Sequence, residues 1–83
     1  MNKLLIKVLV PKLETSYEIF VPINKKMHRI RKQIIQAINE LNDNALGIDD
    51  DILLYDKLTG EAFNLNAMVK DSGLKNGSEL ILV

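Results

Sequence analysis

The chain has no cysteine, no tryptophan, one histidine and two prolines among its 83 residues. Without thiols it has no disulfide, no thiolate nucleophile and no Cys-ligated metal. A small domain that folds without such staples fits a reducing compartment. A single His, with no Cys or second His beside it, leaves no zinc-type ligand set. No nucleophile stands at triad-like spacing from it, and Ser72 and Ser78 fall in turn contexts, so no catalytic residue is nominated. Eleven Lys and Arg balance eleven Asp and Glu, a neutrality that argues against a dedicated nucleic-acid binder. No apolar run approaches the roughly 18 residues of a membrane span, which argues against direct membrane insertion. The start, MNKLLIKVLVPKLE, is interrupted by Lys7 and followed by no small-residue cleavage site, so it reads as a strand and not as a signal peptide.

Aromatics are only 5% of the residues while hydrophobics reach 47%, so the core must be aliphatic. At this length one domain over residues 1–83 is expected, with roughly 60–65% of the unfolded chain's surface buried. Lys3 to Val10 alternates, with Leu4, Ile6, Val8 and Val10 on one side and Lys3, Leu5, Lys7 and Leu9 on the other. That period of two predicts a strand, ended by Pro11. Lys12 to Thr15 turns the chain, and Ser16 to Val21 alternates again with Tyr17, Ile19 and Val21 inward, giving a hairpin.

After Pro22 the period changes. Asn24 is the predicted N-cap of an amphipathic helix of about five turns, with Met27, Ile30, Ile34, Ala37, Ile38 and Leu41 on its apolar stripe. The helix is expected to end near Asn42 to Asn44. Gly47 to Asp51 reads as a loop, Ile52 to Tyr55 as a strand with Leu53 and Tyr55 inward, and Ala62 to Leu65 as a short return strand. Asn66 to Gly73 reads as a short helical turn closed by Gly73 in the left-handed conformation. Asn76-Gly77 is a tight-turn pair, and Glu79 to Val83 is the last strand. The order β-β-α-β-β-β predicts an α+β, β-grasp arrangement, in which a mixed sheet packs on one long helix. The last strand is expected in the centre of the sheet, parallel to the first.

The segment LLYDKLTGEAFNLNAMVKDSGLKNGSELILV, Leu53 to Val83, resembles the second half of ubiquitin-like domains. Two stretches, YEIFVP from Tyr17 to Pro22 and DSGLKNGSEL from Asp71 to Leu80, resemble more closely the YukD/EsaB-like small bacterial proteins associated with type VII (Esx-type) secretion. The resemblance covers nearly the whole chain. It implies a cytoplasmic accessory or regulatory protein without enzymatic activity or cofactor, and partners among the cytosolic parts of the secretion machinery. Ubiquitin and the related sulfur carriers act through a flexible Gly-Gly tail, slender enough to thread an activating enzyme. This sequence ends Leu80-Ile81-Leu82-Val83. A non-conjugating module is therefore expected, the alternative being a sulfur carrier or modifier whose Gly-Gly tail lies beyond Val83.

Three surface features are candidates for function. On the outer face of the sheet, away from the helix, Leu5, Leu9, Phe20, Leu54, Ile81 and Val83 are expected to form an apolar protein-binding patch, for another protein or for self-association. Lys25, His28, Arg29 and Lys32 share one stripe of the helix. That stripe reads first as a solvated face and second as a contact for an acidic partner, a phosphate or a nucleic acid. Asp49-Asp50-Asp51 lacks the spaced ligands of a calcium loop and reads as a solvated loop, not a metal site.

Overall fold

The computed structural model describes residues 2–47 and 52–83; the acidic run Asp49-Asp50-Asp51 lies outside them. Strand β1, Lys3–Val10, pairs antiparallel along its length with β2, Thr15–Pro22. The reversal between them uses Pro11–Leu13, a single 3-10 turn, and Glu14 in the left-handed region at φ 52°. Pro11 suits the first position of that turn, where its fixed φ helps and its missing N–H is not needed. Helix α1, Met27–Leu41, follows, then β3, Leu54–Asp56, and β4, Glu79–Leu82. The sheet order is β2-β1-β4-β3, with β4 parallel to β1 and antiparallel to β3. The last strand thus lies at the sheet centre beside the first, as the element order implies.

Alternation decides which face is buried. Ile6, Val8 and Val10 of β1, Val21 of β2, Leu54 of β3 and Leu80 and Leu82 of β4 point to the helix and are buried. From α1 they meet Met27, Ile30, Ile34, Ile35 and Ile38, with Val69 and Leu74 closing the end of the same cluster. Burying each such aliphatic side chain is worth about 1.5–3 kcal/mol. The helix stripe is rotated slightly from expectation: Ile35 is buried, Ala37 is half-buried and Leu41 is 70% exposed.

Two expected elements differ, for related reasons. Asn24 does not cap α1. Lys26 occupies the cap position with no side-chain hydrogen bond, and the helix has 15 residues, about four turns. The fifth expected strand, Ala62 to Leu65, reduces to one bridge between Ala62 and Tyr55. Beyond that bridge the chain leaves the sheet and runs past the helix start. There the Leu65 carbonyl accepts the His28 N–H and the Ala67 carbonyl accepts the Met27 N–H, at 3.0 and 2.8 Å. A helix leaves its first four N–H groups without internal partners. Here a distant segment supplies carbonyls, so no Asn cap is needed and no ladder strand forms. The segment continues through Val69–Asp71, a second 3-10 turn, to Gly73 at φ 88°, as the sequence implies. Gly77, at φ 84°, turns the chain into β4, and its N–H donates to the Leu5 carbonyl at 2.8 Å.

Candidate protein-interaction surface

The solvent face of the sheet is built by the odd positions of β1 and β4 and the even positions of β2. Register places these side chains in rows across the strands. At one end Phe20 of β2 lies opposite Leu5 of β1. In the middle Lys7 lies between Glu18 of β2 and Glu79 of β4. Lys57, just past β3, extends the row, because its N–H donates to the Glu79 carbonyl and its Nζ pairs with Glu79 Oε2 at 2.9 Å. At the other end Ser16, Leu9, Ile81 and Tyr55 follow one another across all four strands. Beyond them Leu53 and Val83 exchange two main-chain hydrogen bonds, at 2.7 and 3.0 Å.

Five of the six expected patch residues, Leu5, Leu9, Phe20, Ile81 and Val83, do reach this face; Phe20 is 62% and Val83 54% exposed. Leu54 does not. It is 2% exposed, inside the core opposite Leu82, while Leu53 is 43% exposed. The phase of β3 is therefore the reverse of that expected, with Leu54 inward and Leu53 and Tyr55 outward. The stretch ILLY is apolar on both phases, so its own alternation carries no direction. Antiparallel pairing with β4 decides it, because the inward Leu82 sits directly across from Leu54.

The outer face is also divided, where the sequence suggested one patch. Leu9, Ile81, Tyr55, Leu53 and Val83 form the larger apolar group. Leu5 and Phe20 form a smaller one, and the charged row Glu18–Lys7–Glu79–Lys57 runs between them. Lys7's outward position is readable from sequence; that Glu18 flanks it follows from the hairpin register, and that Glu79 does requires the parallel β1–β4 register. The Glu79 carboxyl is held below the ordinary glutamate range, chiefly by the hydrogen bond from Lys57 and then by the charge of that ammonium. A loss of hydration works in the opposite direction, and the charge of Lys7 adds to the lowering.

Lys25, His28, Arg29 and Lys32 are all exposed, the last three on the helix surface turned from the sheet and Lys25 outside the helix on which the sequence placed it. Lys25 precedes α1, and its carbonyl accepts the Val69 N–H at 2.8 Å. Arg31, in the same run of basic residues, is buried instead, with its Nε donating to the Ile52 carbonyl at 2.6 Å. The basic stripe and the apolar groups thus occupy opposite sides of the molecule. Among the described residues no cluster of His, Asp or Glu is grouped as for a metal ion, and no helix is long and apolar enough to cross a membrane.

No protein-family model matches the sequence, and no curated protein matches it. Solved structures do match. The ubiquitin-like domain of the Mycobacterium tuberculosis type VII secretion system protein EccD1 superposes with a TM-score of 0.75 at 16% identity, covering 100% of this chain and 99% of that one. The EccD5 ubiquitin-like domain from Mycobacterium xenopi gives 0.79 at 10% identity, covering 100% and 94%. A chain of the MycP5-free ESX-5 inner membrane complex gives 0.81 at 10% identity, with all of this chain covering 21% of that one. One helix on a mixed four-stranded sheet, superposing end to end on such domains, is the ubiquitin-like β-grasp fold. In fold the chain resembles the EccD ubiquitin-like domains of type VII secretion.

Proposed function

We propose that this chain is a non-enzymatic, ubiquitin-like protein-interaction module of the YukD/EsaB kind, a cytoplasmic accessory or regulatory component of bacterial type VII secretion. The observation that carries the reading is the apolar group Leu9, Ile81, Tyr55, Leu53 and Val83 on a sheet face open to solvent. Solvent-facing sheet surfaces are ordinarily polar, and contiguous exposed apolar groups mark contacts. Such a face acts by being covered, which is non-covalent docking and needs neither a cofactor nor a conjugation step. The secretion setting is supported by the fold likeness to EccD domains and to a chain of an ESX-5 inner membrane complex. The partners proposed are cytosolic parts of such a complex.

The test is calorimetric titration of the purified chain against the cytosolic portions of a type VII secretion complex from the same cell. Ile81 stands at the middle of the apolar group, where binding energy concentrates. Ile81→Asp is expected to abolish binding and to leave circular dichroism unchanged. Replacing Lys25, Arg29 and Lys32 together is expected to alter mainly the rate and the salt dependence. Full binding by Ile81→Asp, or loss of binding only in the basic-stripe variant, would refute the assignment of the face.

A further inference from the structure

The charged row across the outer face alternates in sign: Glu18, Lys7, Glu79, Lys57, one residue from each successive position across the sheet. At about 4.8 Å between strands it spans roughly 14 Å, with its midpoint between β1 and β4. An alternating row of four charges has a symmetry property. Turned over about an axis parallel to the strands through that midpoint, the order reads Lys57, Glu79, Lys7, Glu18. Every position then meets its opposite charge: Glu18 meets Lys57, and Lys7 meets Glu79, each twice. Turned over about an axis along the row itself, every charge meets its own kind. The face is thus self-complementary in one two-fold orientation and self-repelling in the other.

The apolar residues agree with the first orientation, because rotation about the strand direction keeps each row at its own height. Leu9 would face Ile81 of the second copy and Ile81 its Leu9. At the other end Leu5 would face the second copy's Gly77, which has no side chain and has open space above it. Phe20 would face the turn beyond β3, whose Leu58 is 92% exposed. We propose that the outer sheet face binds a second copy of this chain about a two-fold axis parallel to β1 and β4 and between them. The proposal rests on the reading of this face as a docking surface and names its occupant. Stacked sheets lie about 10 Å apart and cross at about 30°; at the ends of the row this shifts opposing groups by about 4 Å, within the span of Lys and Glu side chains. With β3 and β4 only three and four residues long, the shared area is small, and the dimer is weak and concentration-dependent.

Sedimentation of the 83-residue chain at low ionic strength, over concentrations from about 10 μM to about 1 mM, tests this directly. The wild type is expected to dimerise reversibly, less so as salt is added. Lys7→Glu alone and Glu79→Lys alone each set like charges together at two places, and each is expected to weaken the dimer by more than about tenfold. Mixing the two variants in equal amounts is expected to restore it. In the mixed pair the introduced carboxylate meets the introduced ammonium, and the native Glu79 of one chain meets the native Lys7 of the other. Circular dichroism of each variant reports folding, and restoration on mixing cannot come from a misfolded chain. A wild type that remains monomeric throughout, or a mixture no better associated than its components, overturns the proposal. If the monomeric wild type still binds a secretion-complex protein through Ile81, the docking reading stands without the dimer. If neither association occurs, both fall.

Discussion

Leu53 and Leu54 carry the same side chain on adjacent residues, yet one is 43% and the other 2% exposed. Their roles should separate cleanly under substitution. Leu54→Ala removes buried methylene and methyl groups from a packed cluster and is expected to lower stability by about 2–5 kcal/mol in denaturant titration. Leu53→Ala should change stability by less than about 1 kcal/mol. Leu53→Asp should instead reduce whatever association the outer face supports. Equal stability losses for the two alanine variants would show that β3 does not sit in the phase described. Glu79 gives a second residue-scale prediction, in pH. Its folded-state carboxyl titrates below the ordinary glutamate value, so it binds a proton less readily folded than unfolded. Its contribution is present above that value and is lost as pH falls through the lowered folded value. Wild type should therefore exceed Glu79→Gln in stability at neutral pH, and the gap should close in acid. Because the Lys57–Glu79 pair is solvated, the gap is small and should shrink with salt. A gap that widens toward acid would contradict the pairing.

At the scale of elements, β1 and β2 were legible because charged residues fall on only one phase of each, and α1 because it shows one apolar stripe. Lys3, Lys7 and Glu18 mark the outer side of the hairpin as clearly as Ile6 and Val8 mark the inner one. The misread elements are those whose state is decided by a distant segment. The direction of β3 depends on its pairing with β4. The start of α1 and the missing fifth strand depend on one exchange, in which the carbonyls of Leu65 and Ala67 satisfy the helix instead of a ladder. The division of the outer face by a charged row was hidden for the same reason, since Lys7 and Glu79 are far apart in sequence and meet only through the parallel register. Asn39 shows how the other end of α1 is tied down. Its Oδ1 accepts the Leu46 N–H and its Nδ2 donates to the Gly47 carbonyl, each at 2.8 Å, and the side chain is buried. Asn39→Leu would leave the buried Leu46 N–H without a partner, at an expected cost of about 1–3 kcal/mol. Faster amide exchange at Leu46, beyond that of the rest of the molecule, is the accompanying signature; unchanged exchange there would mean the bonds are not formed in solution.

At the scale of the whole molecule, one aliphatic cluster receives side chains from every strand, the helix and the second 3-10 turn. Ile34 stands near the middle of the helix's contribution and is 1% exposed. A chain of this size has a total stability of about 4–12 kcal/mol. Ile34→Ala, at about 2–5 kcal/mol, therefore removes a large fraction of it. If the cluster is one cooperative unit, the loss must be felt everywhere at once. The two tyrosines offer independent reporters in a chain without tryptophan. Tyr17 receives a hydrogen bond from Asn42 at the end of the helix, at 2.7 Å, and Tyr55 lies on the outer face opposite Ile81. Denaturation followed by far-ultraviolet circular dichroism should report the helix. Tyrosine fluorescence of Tyr17→Phe and Tyr55→Phe backgrounds should report the two places separately. All three midpoints are expected to coincide in the parent chain and to shift together in Ile34→Ala, with the slope of free energy on denaturant unchanged. If the helix signal moves to lower denaturant while the Tyr55 signal stays, the outer sheet has stability of its own, and its binding face would then survive damage to the core beneath it.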